Sequence, residues 1–204
     1  EQVITSYEAA PETAVKVLNP LSNDLAYMRK DLFFSGLEVI AYNHNHKRTD
    51  LKLFEFGKNY HLTEGTYSES KQLMLYATGN RNEEHWAAKT EKTDFFWLKG
   101  AVEAVFERLG LKGIKVQPLE QAVAYAQEGF RWVLGDVPLG FMGVVKKKVL
   151  KDFDIKSEVL FASLAWDAVL EAVKDSKITY REIAKYPEVR RDLALLLDEG
   201  VSFE

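Results

Sequence analysis

The chain has 204 residues, 47% of them hydrophobic, which is enough for one sizeable core with a small additional segment. With 27 Lys and Arg against 31 Asp and Glu, the net charge of -4 excludes a general attraction to nucleic acid, so any RNA contact must be local. The absence of cysteine excludes thiolate metal sites, disulfides and a catalytic thiol, and no apolar run reaches the roughly 18 residues of a membrane span.

Both ends of the sequence predict a piece of a longer chain. The first residues, 1–5, have no methionine and resemble the inside of a strand, and residues 193–197 near the other end form an apolar run. No basic segment followed by an apolar one opens the chain, as a targeting signal would require. We therefore expect a cytoplasmic protein without a membrane partner.

The first third of the sequence predicts a strand, a turn and a helix. Residues 15–18 form a short strand that must end at Asn19-Pro20, because proline lacks an amide donor and restricts the residue before it. Ser22 could cap a short helical turn. Arg29 then precedes an amphipathic helix over residues 31–45. Its apolar positions are Phe33, Leu37, Ile40 and Ala41.

Two strands are predicted after this helix. Residues 51–57 alternate with period two, and one face of the strand carries Leu51, Leu53, Glu55 and Gly57. A glutamate on this mostly apolar face needs a partner. Residues 71–79 are almost continuously apolar, as expected for a central strand that is covered on both faces.

The middle of the chain predicts a second helix and three strands. Asp94 is placed to cap a helix that Gly110 terminates in the left-handed conformation. The predicted strands lie around residues 114–117, 122–126 and 130–134.

A hairpin turn is predicted next, at residues 135–143, feeding a return strand that ends at Val145. Residues 158–165 alternate again, and helical spacing resumes over residues 166–173. Strands outnumber helices without regular βαβ alternation, so the predicted class is α+β, an antiparallel β-sheet flanked by helices. The pattern weakens near residue 176, and we place a domain boundary there, giving residues 1–175 and residues 176–204.

The residues alone show no catalytic constellation. His44 and His46 lie two apart near a helix end and cannot converge on one ion, so no metal site is predicted. The spacing of Gly135, Gly140 and Gly143 matches neither the dinucleotide-binding fingerprint nor the Lys-Ser/Thr phosphate loop. We interpret them as turn glycines. No Ser/His/Asp set can be assembled.

One dense basic run is present. It consists of Lys146, Lys147, Lys148 and Lys151. Such a run is usually a solvated face, yet on an acidic chain it is also the best candidate for a local phosphate contact with tRNA. Both interpretations stay open at this point.

Five strings occur in one order along the chain. They are Asn19-Pro20-Leu21-Ser22, Met28-Arg29 with the apolar helix after it, Leu53-Phe54-Glu55-Phe56-Gly57, Asp94-Phe95-Phe96 with Leu98-Lys99-Gly100, and residues 186–194 (YPEVRRDLA). The ordered set resembles the β subunits of bacterial phenylalanyl-tRNA synthetases over nearly the whole chain. The resemblance implies a class II synthetase-like core over residues 1–175. Residues 176–204 would be a linker and the truncated first strand of a ferredoxin-like anticodon-binding domain.

The resemblance also implies a core without a working active site. Catalytic subunits of this family carry an arginine near the position of His61 and another after a glycine-rich turn in their third motif. Residues 159–168 of this chain contain neither glycine nor arginine. Each missing cation would cost about 2.7–4 kcal/mol of transition-state stabilisation, by analogy with an oxyanion donor. We therefore assign no catalytic residue, no metal ligand and no cofactor to this segment, and the ATP and Mg²⁺ of the holoenzyme would bind mainly outside it.

The implied role is support of a partner enzyme. The segment would hold the catalytic α subunit in a tetramer of two α and two β chains and help to carry tRNA(Phe). The predicted subunit interface consists of Asn19, Pro20, Arg29, Phe33 and Leu37. Arg29 is expected to position this interface or to pair with an internal carboxylate, unless it is only a surface residue.

Two other functions remain as alternatives. One is a degenerate ATP-dependent ligase that is active by itself. The other is a stand-alone RNA-binding module that uses the lysine run.

Overall fold

The computed structural model describes residues 13–22, 26–82, 85–87, 89–119 and 123–174, and nine further residues between 182 and 196. Four helices and six strands lie in the described part of the chain. In chain order they are α1 (Phe33–Asn45), β1 (Leu51–Thr63), β2 (Thr66–Thr78), α2 (Phe95–Arg108), β3 (Ile114–Pro118), β4 (Ala126–Leu134), β5 (Val137–Val145), α3 (Lys147–Asp152), β6 (Val159–Ala165) and α4 (Trp166–Val173).

All six strands form one antiparallel sheet in the order β1-β2-β6-β5-β4-β3. The last strand in the chain, β6, is inserted between β2 and β5, so the two halves of the sheet are joined through it. This arrangement confirms the predicted α+β class with an antiparallel sheet flanked by helices.

Each face of the sheet has its own hydrophobic core. On one face α1 packs against the aromatic side chains of the central strands, and Phe33 and Leu37 are both 0% exposed there beside Tyr76 and Phe161. On the other face α2 and α4 cover an aliphatic cluster that includes Leu160. Apolar side chains on both faces explain why the inner half of β2 lacks a polar alternation.

The predicted helix ends are confirmed. The Asp94 carboxylate accepts the backbone N–H of Trp97 at 2.7 Å and caps α2. Gly110 follows this helix with φ 76°, the left-handed conformation that glycine adopts without a steric cost. The Asp31 carboxylate accepts the Phe33 N–H at 2.6 Å where α1 begins.

The first two strands are longer than predicted. They continue past the predicted limits to form a long hairpin, closed by Glu64 and Gly65 with φ 50° and 78°. The outer half of β2, residues 66–71, is exposed and mostly polar, so it has no apolar alternation to reveal it.

The predicted strand at residues 122–126 is wrong for its described part. Residues 123–125 lead through a turn into β4, which begins only at Ala126. The predicted strand at 130–134 is the second half of this same strand. Gly129 breaks the apolar pattern of β4, and a side chain at that position would collide with the backbone of Met142 on β5.

Other predictions fall partly or wholly outside the described residues. The strand predicted at residues 15–18 is reduced to one bridge between Lys16 and Tyr27. The turn after Ser22, the strand at residues 1–5 and the domain boundary near 176 lie outside the described part and stay predictions. Of the apolar run at residues 193–197, the structure describes residues 193, 194 and 196, and none of these three lies in a strand. None of the described helices has the length and apolar content needed to cross a membrane.

Two helix glycines provide a matched test of packing. A methyl group at Gly36 in α1 would overlap the Tyr76 ring, whose hydroxyl donates to the carbonyl oxygens of Leu32 and Phe33 at 2.9 and 3.0 Å. Gly36→Ala should therefore lower the free energy of unfolding by about 1–3 kcal/mol. Gly100→Ala in α2 meets open space and should raise it by about 0.5–1 kcal/mol.

Urea denaturation followed by circular dichroism measures both variants under the same conditions. The described contact between α1 and β2 would be wrong if Gly36→Ala were as stable as the parent chain while Gly100→Ala behaved as expected.

Candidate functional site

A cleft of about 330 Å³ lies on the half of the sheet face that α1 leaves uncovered. Strands β1, β2, β6, β5 and β4 all contribute to it, because the antiparallel register points alternate residues of neighbouring strands to the same face. The side chains that define it are Asn59, Ser70, Gln72, Arg131, Phe141 and Ser163.

The floor of the cleft is a neutral hydrogen-bonded network. The Asn59 side-chain N–H group donates to Gln72 Oε1 at 2.8 Å, and Gln72 Nε2 donates to Ser163 Oγ at 2.7 Å. Gln72 Oε1 also accepts the backbone N–H of Leu32 at 3.2 Å, which fixes the segment before α1 to the sheet. Because amides and a hydroxyl occupy the floor, it carries no charge of its own.

The cations that line the cleft already have partners within the chain. Lys71 Nζ lies 3.7 Å from Asp167 Oδ1, and the Lys71 backbone N–H donates to the same carboxylate at 2.6 Å. The Arg131 Nε–H donates to Gln117 Oε1 at 3.1 Å. These contacts draw the two cations toward separate partners, whereas stabilisation of a developing phosphate charge needs cations that converge on one point.

The two positions at which the sequence lacks an arginine lie on an edge strand, β1, and on a central strand, β6. His61 lies on β1 opposite Ser68 and is half-buried. The third-motif segment forms β6 and the start of α4, and within β6 the one polar side chain is Ser163.

Arg29 lies beside the outer edge of β1, outside the lining of the cleft. Its guanidinium donates to Glu55 Oε1 at 2.8 Å and to the Lys58 carbonyl oxygen at 3.1 Å, and its own carbonyl oxygen accepts the Tyr60 N–H at 2.9 Å. Arg29 is therefore the partner that the sequence predicted Glu55 to need. The predicted pairing of Arg29 with an internal carboxylate is confirmed. A side chain at Gly57 would collide with this guanidinium, so the glycine makes room for it.

The pair is a positioning contact more than a source of stability. The side chains of Arg29 and Glu55 are 43% and 37% exposed, so solvent screens their attraction and it contributes at most about 1 kcal/mol. The three hydrogen bonds together hold the chain before α1 against the edge of the sheet.

The predicted interface residues separate into two groups. Asn19 and Pro20 are exposed, between Leu18 and Leu21, which are 97% and 95% exposed. Phe33 and Leu37, in contrast, belong to α1 and are fully buried between this helix and the sheet. The prediction that these two side chains contact another subunit directly needs correction, because they leave no surface for a partner.

The predicted lysines also separate. The Lys146 ammonium donates to the Val123 carbonyl oxygen at 3.2 Å and helps to fix the turn before β4. Lys147, Lys148 and Lys151 are exposed on α3, and Lys147 and Lys151 line a second cavity of about 310 Å³. The four residues are therefore not one continuous cationic surface.

The histidines do not form a metal site within the described residues, where no group of three or more potential ligands comes together. The His46 ring nitrogen Nδ1 lies 2.8 Å from the Tyr42 carbonyl oxygen. This contact fits the polar helix-end role expected from the sequence.

Sequence reasoning missed most of the cleft. Gln72 was part of a stretch interpreted as apolar, and Arg131 and Ser163 were hidden inside predicted strands. The available signal was the polar residue at alternate positions of otherwise apolar strands, which marks the face that an apolar core does not cover.

Asp31 is a further group that the sequence did not single out. It is largely buried where α1 begins, and the Tyr125 hydroxyl lies 3.4 Å from its Oδ2. Burial is the largest cause that raises the pKa of the Asp31 carboxyl above its usual 3.8, against the opposing hydrogen bond from Phe33.

The family model for the phenylalanyl tRNA synthetase beta chain CLM domain matches residues 2–166. The chain belongs to this family. It is 43% identical over 200 residues to the phenylalanine–tRNA ligase beta subunit of Bacteroides fragilis, covering 93% of this chain and 24% of that subunit. The corresponding subunit of Porphyromonas gingivalis is 38% identical over 202 residues, with 94% and 25% covered.

The chain thus spans about a quarter of the length of these β subunits. Among solved structures it is similar to pyrrolysyl-tRNA synthetase from Desulfitobacterium hafniense, with a TM-score of 0.63 and 13% sequence identity. The likeness covers 85% of this chain and 60% of that one. It confirms the predicted class II synthetase-like fold for this member of the β chain family.

The buried carboxyl gives a pH-dependent prediction. Because the pKa of Asp31 is higher in the folded state than in the unfolded one, the folded state binds more protons, and this group lowers stability as pH rises through its folded pKa. Asp31→Asn keeps an oxygen acceptor for the Phe33 N–H and does not titrate. Its free energy of unfolding relative to the parent should therefore increase from pH 3 to pH 7.

Urea denaturation at a series of pH values measures this difference, with Asp136→Asn at the exposed β4–β5 turn as the control for loss of one charge. A relative stability of Asp31→Asn that falls with increasing pH would contradict the burial of a charged carboxylate at this site.

Proposed function

We propose that this chain is the noncatalytic core of the β subunit of a phenylalanine–tRNA ligase, and that it supports the catalytic α subunit. The observation that carries the proposal is the cleft, in which Arg131 and Lys71 are each held by a neighbour in place of converging on a phosphate. A core of this kind would act indirectly, by holding the active site of its partner in a productive geometry.

The proposal includes a wider assembly, which the family resemblance supports. In this proposal two α and two β chains attach phenylalanine to tRNA(Phe) in the cytoplasm, with ATP and Mg²⁺ bound mainly outside this segment. Residues 1–175 form the pseudo-catalytic core, and residues 176–204 lead into an anticodon-binding domain. The names of the relatives support the ligase and its second subunit, and they support no finer detail.

The exposed residues before α1 are the proposed subunit contact. Asn19 and Pro20 lie between two leucines whose side chains are almost fully exposed, so a partner that covers this segment would bury apolar surface that the chain itself leaves in water. Arg29 fixes the base of this segment to β1. Phe33 and Leu37 contribute only indirectly, because they belong to the buried core that supports this segment.

Association with the α subunit is the direct test. The chain should co-elute with purified α subunit in size-exclusion chromatography. The double variant Leu18→Ser/Leu21→Ser should bind about tenfold or more weakly, because each buried leucine contributes about 1.5–3 kcal/mol. Val137→Ser, at a half-exposed position on β5, should bind like the parent chain. A folded chain that does not co-elute with α would contradict the proposed function.

Nucleotide binding separates the scaffold from a self-sufficient ligase. Isothermal titration of the isolated chain with ATP and Mg²⁺, with and without phenylalanine, should show a Kd weaker than about 1 mM, because Lys71 is paired with Asp167 and the Arg131 Nε–H is directed to Gln117. Tight magnesium-dependent ATP binding would instead favour a degenerate ligase that works alone.

The RNA-binding alternative depends on the lysine run. Because the Lys146 ammonium donates to the Val123 carbonyl oxygen in the turn before β4, the exposed Lys147, Lys148 and Lys151 of α3 would have to make the RNA contacts.

A further inference from the structure

The second cavity lies beside the start of β6, whereas the cleft lies beside the end of this strand. It has a volume of about 310 Å³ and is bounded by α3, the end of β5 and the segment that leads into β6. Its floor is aliphatic and consists of Val144, Val145, Leu150 and Ile155. Each of these side chains is at most 8% exposed, so the floor belongs to the core and not to a loose surface.

Charged side chains surround the mouth of the cavity. Lys147 and Lys151 are one helical turn apart on α3, which places their Cβ atoms about 5–6 Å from each other. Lys156 adds a third ammonium, and Asp154 and Glu158 add two carboxylates. Within the described part of the chain the ammonium groups of the three lysines make no ion pair, in contrast to Lys71 in the cleft.

The cavity is preformed by local hydrogen bonds. The backbone N–H of Ile155 donates to the Leu150 carbonyl oxygen at 2.8 Å, and Asp154 between them adopts a left-handed φ of 54°. Ser157 Oγ lies 2.9 Å from Thr78 Oγ1 on β2, which ties the segment after α3 to the sheet. A ligand therefore finds the floor and the lysines already in position, and little ordering cost opposes binding.

The chemistry of the mouth favours a protein segment over RNA. A phosphodiester chain is uniformly anionic, so Asp154 and Glu158 would repel it wherever it approached the lysines. The cavity lining also contains no aromatic ring on which a base could stack. A peptide can place an aliphatic side chain on the floor and separate carboxylates against the lysines, and its own cationic or N–H groups can meet the carboxylates.

We propose that this cavity docks an acidic, aliphatic segment of the α subunit. One aliphatic side chain of that segment fills the floor, and two carboxylates about one helical turn apart pair with Lys147 and Lys151. The inference rests on the proposed function, because it takes the α subunit as the partner. It adds a second contact surface, distinct from the exposed leucines before α1.

A charge-reversal experiment tests the proposal. Surface plasmon resonance measures the affinity of purified α subunit for the parent chain, for Lys147→Glu/Lys151→Glu and for Lys148→Glu. The last is the matched control, because Lys148 is exposed on the same helix and does not line the cavity. The double variant should bind about tenfold more weakly, since two attractions become repulsions, and the control should stay within about twofold.

Each outcome has one interpretation. If the parent and the double variant bind α equally, the cavity is not a docking site, although the proposed function stands. If folded parent chain does not bind α at all, the proposed function fails, and the docking proposal fails with it. If the double variant keeps α but loses tRNA in a filter-binding assay, the lysines contact phosphate and the docking proposal is wrong. Circular dichroism of both variants verifies that the fold is intact.

Discussion

The register of β2, β6 and β5 is the constraint on which the rest of the structure depends. It places Gln72 and Ser163 on one face of the sheet and Leu73 and Leu164 on the other. A slip of one residue would turn the amide into the aliphatic core and the leucines into the cleft. The hydrogen bond between Gln72 and Ser163, 2.7 Å long, joins two neighbouring strands and opposes such a slip.

The same register also shapes the cleft. Five neighbouring strands supply most of its lining, so a substitution at a single position leaves most of its walls in place. The network through Gln72 fixes both the floor and the Leu32 N–H, which links the cleft to the segment held by Arg29. A neutral hydrogen-bonded floor of this kind suits the scaffold proposed above, because its groups keep their positions and carry no charge.

Sequence reasoning predicted the elements whose signals are local. Asp94 and Gly110 fix the ends of α2 through contacts within a few residues. The position of Glu55 on an apolar strand face indicates that it needs a partner, and Arg29 is that partner in the structure. The errors concern contacts distant in sequence. Helical periodicity showed that Phe33 lies on an apolar face of α1, but the same pattern fits a helix that faces a partner and one that faces its own sheet. The lining of the cleft depends on strand pairings that bring Gln72 and Ser163 together across 91 positions, which no local pattern reports.

The distribution of cations indicates where this chain can still make contacts. Around the cleft and the edge of β1 the cations have partners within the chain: Arg29 with Glu55, Lys58 with Glu69, and Lys71 with Asp167. At the cavity beside α3, the ammonium groups of Lys147, Lys151 and Lys156 have no such partner in the described part. Cations that are paired internally give little net attraction to an incoming charge. At the cavity three ammonium groups outnumber the carboxylates of Asp154 and Glu158, so they can attract an anionic group while the aliphatic floor buries apolar surface with it. In the proposed assembly, the intermolecular contacts therefore lie at the periphery of the sheet and not in the cleft at its centre.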